Sequence, residues 1–181
     1  AAATLTLQAN DGTSTAALGT VNINITAVDD PVTLSGVPTS QTFTEDTIES
    51  IALSAITAGD VDGDTLTMLL TLSAGEFDTP ADGAGVSVTE TRVSSSQVRL
   101  VGRAGAINSY LDITDAIDYV PVADAFGTAA ATLSLSLTDS VASTVTGSIT
   151  FDITGTNEAP VLRTGDVRDD RFVTAGEDDG E

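Results

Sequence analysis

The chain has no cysteine, no histidine, no lysine and no tryptophan. Without cysteine there is no disulfide to staple a domain and no thiol chemistry. Without histidine the Ser-His-Asp and Cys-His arrangements are impossible, and a general base near neutrality has to be a perturbed carboxylate. Zinc loses both of its preferred soft ligands. Phosphate-cradling glycine loops of the GxGxxG or GxxxxGK kind are missing too. Five Phe and two Tyr, scattered along the chain, read as core rather than as sugar-stacking platforms. A glycosidase needs only two carboxylates, but without such platforms the expectation is that the protein is not an enzyme. No apolar run approaches the roughly 18 residues of a membrane span. The opening AAATLTLQ lacks the basic start and apolar stretch of a signal peptide. Beginning inside a strand pattern without Met, it reads as an excerpt or a processed product.

What is present is acid. Twenty-seven Asp and Glu face six Arg, a net charge of −21 over 181 residues. Such a surface repels nucleic acid and anionic membrane, so neither is expected as a partner, nor is membrane insertion. It suits a chain that stays highly solvated or collects cations. A cysteine-free extracellular domain needs another staple, and bound metal is the obvious one. Thr and Ser are abundant, and β-branched residues alternating with small polar ones favour strands.

Residues 3–30 recur 128 positions later as residues 131–158, with eight of the 28 aligned positions identical. Leu5/Leu133, Leu7/Leu135, Val21/Ile149, Ile23/Phe151 and Ile25/Ile153 match in kind. A second echo, shifted by one residue, sets Pro31, Val32, Gly36 and Phe43 against Pro160, Val161, Gly165 and Phe172. A period near 129 fits a tandem array of domains better than short solenoid units. The expected organisation is the C-terminal hairpin of a preceding copy (1–30), one complete copy (31–158), and the start of a following copy or an acidic tail (159–181).

Leu5 and Leu7, then Val21, Ile23 and Ile25, alternate with polar residues around NDGTS at 10–14, so 3–27 reads as a β-hairpin. Residues 131–154 read likewise around Asp139 and Ser140. Between them strands are expected near 32–35, 41–44, 49–54, 65–72, 85–91, 96–102 and 117–121. Ala104 to Leu111 looks like a short helix, with Ile107, Tyr110 and Leu111 on one face. The fold class is all-β: an antiparallel Greek-key β-sandwich, cadherin- or Ig-like, with one short helix.

The most specific local motif is Asp60-Val-Asp-Gly-Asp64. Three carboxylates at alternate positions, with a glycine for the sharp turn, can converge oxygens on a hard cation, and calcium accepts irregular all-oxygen shells. An EF-hand also needs a bidentate Glu closing a loop between two helices, and the stretch 51–73 offers none, so this is an Asp-rich β-turn. A solvated turn is the plainer alternative. Glu45-Asp46 follows a strand. Asp29-Asp30 and Asn157-Glu158 sit at the two junctions, each beside a proline that cannot continue a sheet interior. The junction pair of one copy and the Glu-Asp of the next are expected to meet, so that metal there would neutralise repelling charges and stiffen the linker. Asp11 and Asp139, equivalent by the repeat, sit in hairpin turns, and Asp124 is expected to reach the same end of the sandwich.

Phe43-Thr-Glu-Asp-Thr47, Ile51-Ala-Leu53 and Asp60-Val-Asp-Gly-Asp-Thr-Leu66 together resemble the opening of bacterial cadherin-like (VCBS-type) repeats. Ala106-Ile-Asn-Ser-Tyr-Leu111, Tyr119-Val-Pro-Val-Ala-Asp-Ala-Phe-Gly127, the strand ending at Asp139 and the linkers Val28-Asp-Asp-Pro31 and Thr156-Asn-Glu-Ala-Pro160 follow in that family's order. The resemblance covers nearly the whole central copy. It implies a spacer repeat of giant secreted or surface adhesins exported by type I systems, located outside the bacterial cell, with neighbouring repeats as partners. It also implies calcium at interdomain joints, with Glu45, Asp60, Asp62, Asp64, Asn157 and Glu158 as ligands. The junction at 29–30 departs from the family by lacking the usual Asn and spacer residue, and the tail offers Thr174-Ala-Gly-Glu-Asp178 where "TEDT" is usual. Two other functions stay open: a filament subunit that homopolymerises by strand complementation, and a carbohydrate- or protein-binding module.

Overall fold

A computed structural model describes residues 2–78, 85–141 and 144–157. Alternation sets the main sheet. Six strands lie in the order β4 (Ser40–Thr44), β13 (Thr144–Thr154), β12 (Gly127–Thr138), β7 (Leu66–Leu72), β10 (Gln97–Gly102), β9 (Thr89–Ser94). Every second residue of β7, Leu66, Met68, Leu70 and Leu72, is buried, and Leu133, Leu135 and Leu137 of β12 continue the same inner face. Period-two burial on one face of a sheet is what a half-buried strand produces.

A thinner layer covers that face. It comprises the three-stranded sheet β5 (Glu49–Ser50), β11 (Asp118–Val120), β8 (Glu76–Phe77), the pair β3 (Thr33–Ser35) and β6 (Thr57–Gly59), and helix α1 (Ala104–Leu111). Ile107, Tyr110 and Leu111 are the buried face of α1, as the sequence predicts. The helix is tied down by Asn108, whose side-chain nitrogen donates to the Ala58 carbonyl at 3.0 Å and whose oxygen accepts from the Ala58 N–H at 2.8 Å. Phe43, Tyr119 and Phe151 meet across the layers with centroids 4.6 to 5.0 Å apart, in the edge-on and tilted arrangements that ring quadrupoles favour. The result is an all-β, sandwich-like fold with a single short helix among the described residues.

Three details differ from the sequence reading. The expected strand 49–54 is paired only at Glu49–Ser50, because Ile51 and Leu53 are drawn into the core from irregular backbone. The expected strand 85–91 begins at Thr89, and the short β6 and β8 carry too little alternation to be seen in advance. The main sheet is also not wholly antiparallel: β4 pairs parallel to β13, with Ile153 opposite Phe43. Parallel neighbours need a long crossover, which here is the rest of the domain.

The first hairpin, β1 (Ala2–Asn10) and β2 (Thr15–Asn24), stands apart, every residue of both strands being exposed. No helix among the described residues is long and apolar enough to cross a membrane.

Candidate functional site

The topology sorts the acidic candidates to two opposite ends. Strand β13 starts just after the Asp139 turn and ends beside Thr44, while β7 and β10 meet at Leu66 and Gly102 on the starting side. Residues 29–30, the 60–64 turn, Arg103 and Asp139 therefore share the end where the chain enters the domain. Glu45, Asp46, Asp124, Thr156 and Asn157 belong to the end where it leaves.

At the first end the Asp30 N–H donates to Asp62 Oδ2 at 2.6 Å, the Asp64 N–H to Asp60 Oδ2 at 2.6 Å, and the Ser140 hydroxyl to Asp64 Oδ2 at 3.1 Å. Gly63 takes a positive φ of 75° to close the turn, and the Arg103 guanidinium lies beside it. Asp139 is 8 % exposed, and its Oδ1 accepts from the Val141 N–H at 2.9 Å. Partial desolvation, then the charges of Asp139, Asp62, Asp64 and Asp60, hold the Asp29 carboxyl above the ordinary carboxylate range. Five carboxylates from three separated segments thus feel one another.

At the second end Glu45 is 5 % exposed, an unusual place for a carboxylate. Its N–H donates to the Thr154 carbonyl at 3.0 Å, and its Oε1 accepts from both the N–H and, at 3.2 Å, the hydroxyl of Thr156. Asp46, at φ 56°, accepts on Oδ1 from the N–H of Asp124, itself at φ 59°, at 3.4 Å.

Two expected juxtapositions are not found. Asp29-Asp30 meets the 60–64 turn and Asp139 rather than Glu45-Asp46, because β4 runs parallel to β13 and delivers Glu45 to the exit. For the same reason Asp124 joins Asp46 and not the Asp139 turn. Asp11 belongs to neither end. It caps its own hairpin, accepting from the N–H groups of Thr13 and Ser14 at 2.9 and 2.8 Å, which lowers its carboxyl to about 2. Asn157 is exposed, and Glu158 lies outside the described residues. Ser140, Thr156 and Arg103 were not anticipated. Ser140 and Thr156 are legible only once the strand register is known.

The donors at both ends are hard oxygens, the set that calcium prefers. Among the described residues no three acidic side chains are already close enough to cage an ion, so binding there requires the carboxylates to move inward.

No family model and no curated protein matches the chain. Among solved structures it is similar to an endo-fucoidan hydrolase from glycoside hydrolase family 107, with a TM-score of 0.32 and 14% identity over 86% of this chain and 19% of that one. The chain thus spans about a fifth of that protein's length, and a likeness this distant carries no functional argument.

Proposed function

We propose that this chain is a calcium-binding structural extender repeat of a large bacterial surface or secreted adhesin, working outside the cell and without catalytic activity. The observation that carries the reading is the gathering of residues 29–30, the 60–64 turn and the Asp139 turn where the linker meets the domain, with the Asp30 N–H donating to Asp62 Oδ2 and the Ser140 hydroxyl to Asp64 Oδ2. Partial desolvation, then the charges of Asp139, Asp62, Asp64 and Asp60, raise the Asp29 carboxyl there. Mutual repulsion at a joint is a cost unless a cation relieves it, and a divalent ion bound there would couple residues 29–30 to the 60–64 turn and stiffen the linker. The exit end, with Glu45, Asp46, Asp124 and the neighbouring Asn157, offers the next repeat a similar oxygen-rich surface. Repeats joined in this way would hold a distal adhesive module away from the cell, with neighbouring repeats as the partners.

The test is thermal unfolding and sedimentation in saturating calcium and in chelator. Ligand bound only to the folded state adds RT ln(1 + [L]/Kd), about 2.7 kcal/mol at a hundredfold excess over Kd, which for a domain of this size raises Tm by roughly 5–10 °C. Identical melting and sedimentation in the two conditions would sink the proposal.

A further inference from the structure

An aspartate followed by glycine is a chemically weak point of a chain, because the glycine nitrogen can approach the neighbouring carboxyl with no side chain in the way. Four such pairs occur, Asp11-Gly12, Asp62-Gly63, Asp82-Gly83 and Asp179-Gly180, and the last two lie outside the described residues. The fold treats the first two oppositely.

At Asp11-Gly12 both reacting groups are occupied. Asp11 Oδ1 accepts from the N–H and the hydroxyl of Thr13, each at 2.9 Å, and from the N–H of Ser14 at 2.8 Å. These bonds lower its carboxyl to about 2, and an ionised carboxylate is a poor electrophile. The Gly12 N–H donates to Asn10 Oδ1 at 2.6 Å, so its nitrogen is turned to a different acceptor.

At Asp62-Gly63 the surroundings favour reaction. Asp62 Oδ2 takes the Asp30 N–H at 2.6 Å, a donor that withdraws electron density from the carboxyl carbon much as an oxyanion hole does. The next amide, that of Asp64, is drawn to Asp60 Oδ2 at 2.6 Å, but among the described residues nothing accepts from the Gly63 N–H. Arg103 Nη1 lies 3.5 Å from where a Cβ of Gly63 would stand. A cation there favours loss of the amide proton and offsets the negative charge that develops as the nitrogen attacks. Val61 and Asp62 are exposed, so water reaches the turn.

We propose that Asp62-Gly63 is a site of spontaneous isomerisation, a self-modification that converts Asp62 to a β-linked aspartate and frees residues 29–30 from the domain. In the first step a C–N bond forms between the Gly63 nitrogen and Asp62 Cγ. The amide proton, one carboxyl oxygen and a second proton from solvent leave as water, and a five-membered succinimide remains. In the second step water adds to one ring carbonyl and the C–N bond to that carbonyl breaks, the nitrogen regaining a proton. Opening at the side-chain carbonyl restores Asp62, whereas opening at the main-chain carbonyl routes the backbone through Cβ and Cγ. The steps need only water and a solvent proton. The β-linked product has one more backbone atom and a carboxyl one carbon shorter, so the acceptor that holds the Asp30 N–H is withdrawn from it.

Incubating the full chain for weeks in neutral oxygen-18 water with chelator tests this. Each ring opening leaves one labelled oxygen, and digestion with electron-transfer fragmentation should find label and β-linkage at residue 62 at several times the level at residue 11. Arg103→Gln should lower the level at residue 62 several-fold and leave residue 11 unchanged, and Arg103→Lys should restore most of it. In the aged sample amide exchange at Asp30 should accelerate in proportion to the modified fraction, while β7 and β12 stay protected. Chelator keeps bound ions out of the measurement, so its failure and that of the calcium reading are separate results. No label at residue 62, equal label at residues 11 and 62, a rate indifferent to Arg103→Gln, or a modified chain whose Asp30 stays protected would overturn the proposal.

Discussion

The N–H of Asp30 donates to Asp62 Oδ2 across 2.6 Å, joining the linker to a turn 32 residues further on. This bond makes the linker part of the domain instead of a free tether, and it uses one oxygen of the carboxylate motif to do so. Asp62 therefore has two opposed effects: it anchors residue 30 and repels Asp29.

Two substitutions separate these effects. Asp62→Asn keeps an acceptor and removes a charge, whereas Asp62→Ala removes both. In chelator the alanine variant should be less stable than the asparagine variant by about 1 kcal/mol, the net value of an exposed hydrogen bond, measured by urea unfolding. Equal stabilities would mean that the linker is not held by this bond.

Glu45 anchors the other end. It is buried, and Thr156 donates to it from both backbone and hydroxyl. Glu45→Ala leaves the Thr156 N–H without its acceptor and should cost about 2 kcal/mol, with Glu45→Gln costing less because an amide oxygen still accepts. The specific sign is amide exchange at Thr156, which should accelerate in the alanine variant while the centre of β13 stays protected.

Asp118 gives a pH dependence away from either end. Burial, then the charges of Asp115 and Asp78, raise its carboxyl above the ordinary value, and the Ser50 hydroxyl offsets this in part. A folded-state pKa above the unfolded one means that the native state binds the proton more tightly, so stability falls as pH rises through the window between the two. Asp118→Asn should therefore melt higher than the native chain at pH 7, and the difference should vanish below the ordinary carboxylate range. A constant difference across that range would assign the effect to something other than this carboxyl.

The layout of the sandwich was largely readable because its strands obey period two. Leu66 to Leu72 and Leu133 to Leu137 announce their inner faces, and Ile107, Tyr110 and Leu111 announce the helix. The grouping of acids was not readable, for a topological reason. Glu45-Asp46 and the 60–64 turn are only about 15 residues apart in sequence, but the parallel placement of β4 sends them to opposite ends. Hairpin signals reveal local pairing, whereas a parallel edge strand has no local signal at all. The motif Asp60-Val-Asp-Gly-Asp64 was visible as a turn, yet its neighbours Asp139 and Ser140 come from 76 residues away.

Two of the positive-φ glycines, Gly36 and Gly63, test whether the sequence echo reports packing. Both lie in the left-handed region, at 70° and 75°, and an alanine at either carries a backbone penalty of about 1 kcal/mol. Their surroundings differ. A Cβ at Gly63 would have Arg103 Nη1 as its nearest neighbour at 3.5 Å, an ordinary contact with a mobile side chain. A Cβ at Gly36 would sit 1.9 Å from the Ala55 carbonyl oxygen and 2.9 Å from its carbon, both backbone atoms between core residues Leu53 and Ile56. Gly63→Ala should then cost about 1 kcal/mol, and Gly36→Ala at least twice that, because the β3 connection has to shift. Urea unfolding of the two variants side by side checks the difference. If they are equally stable, the recurrence of glycine at position 165 of the sequence does not record a packing requirement of the kind seen at Gly36.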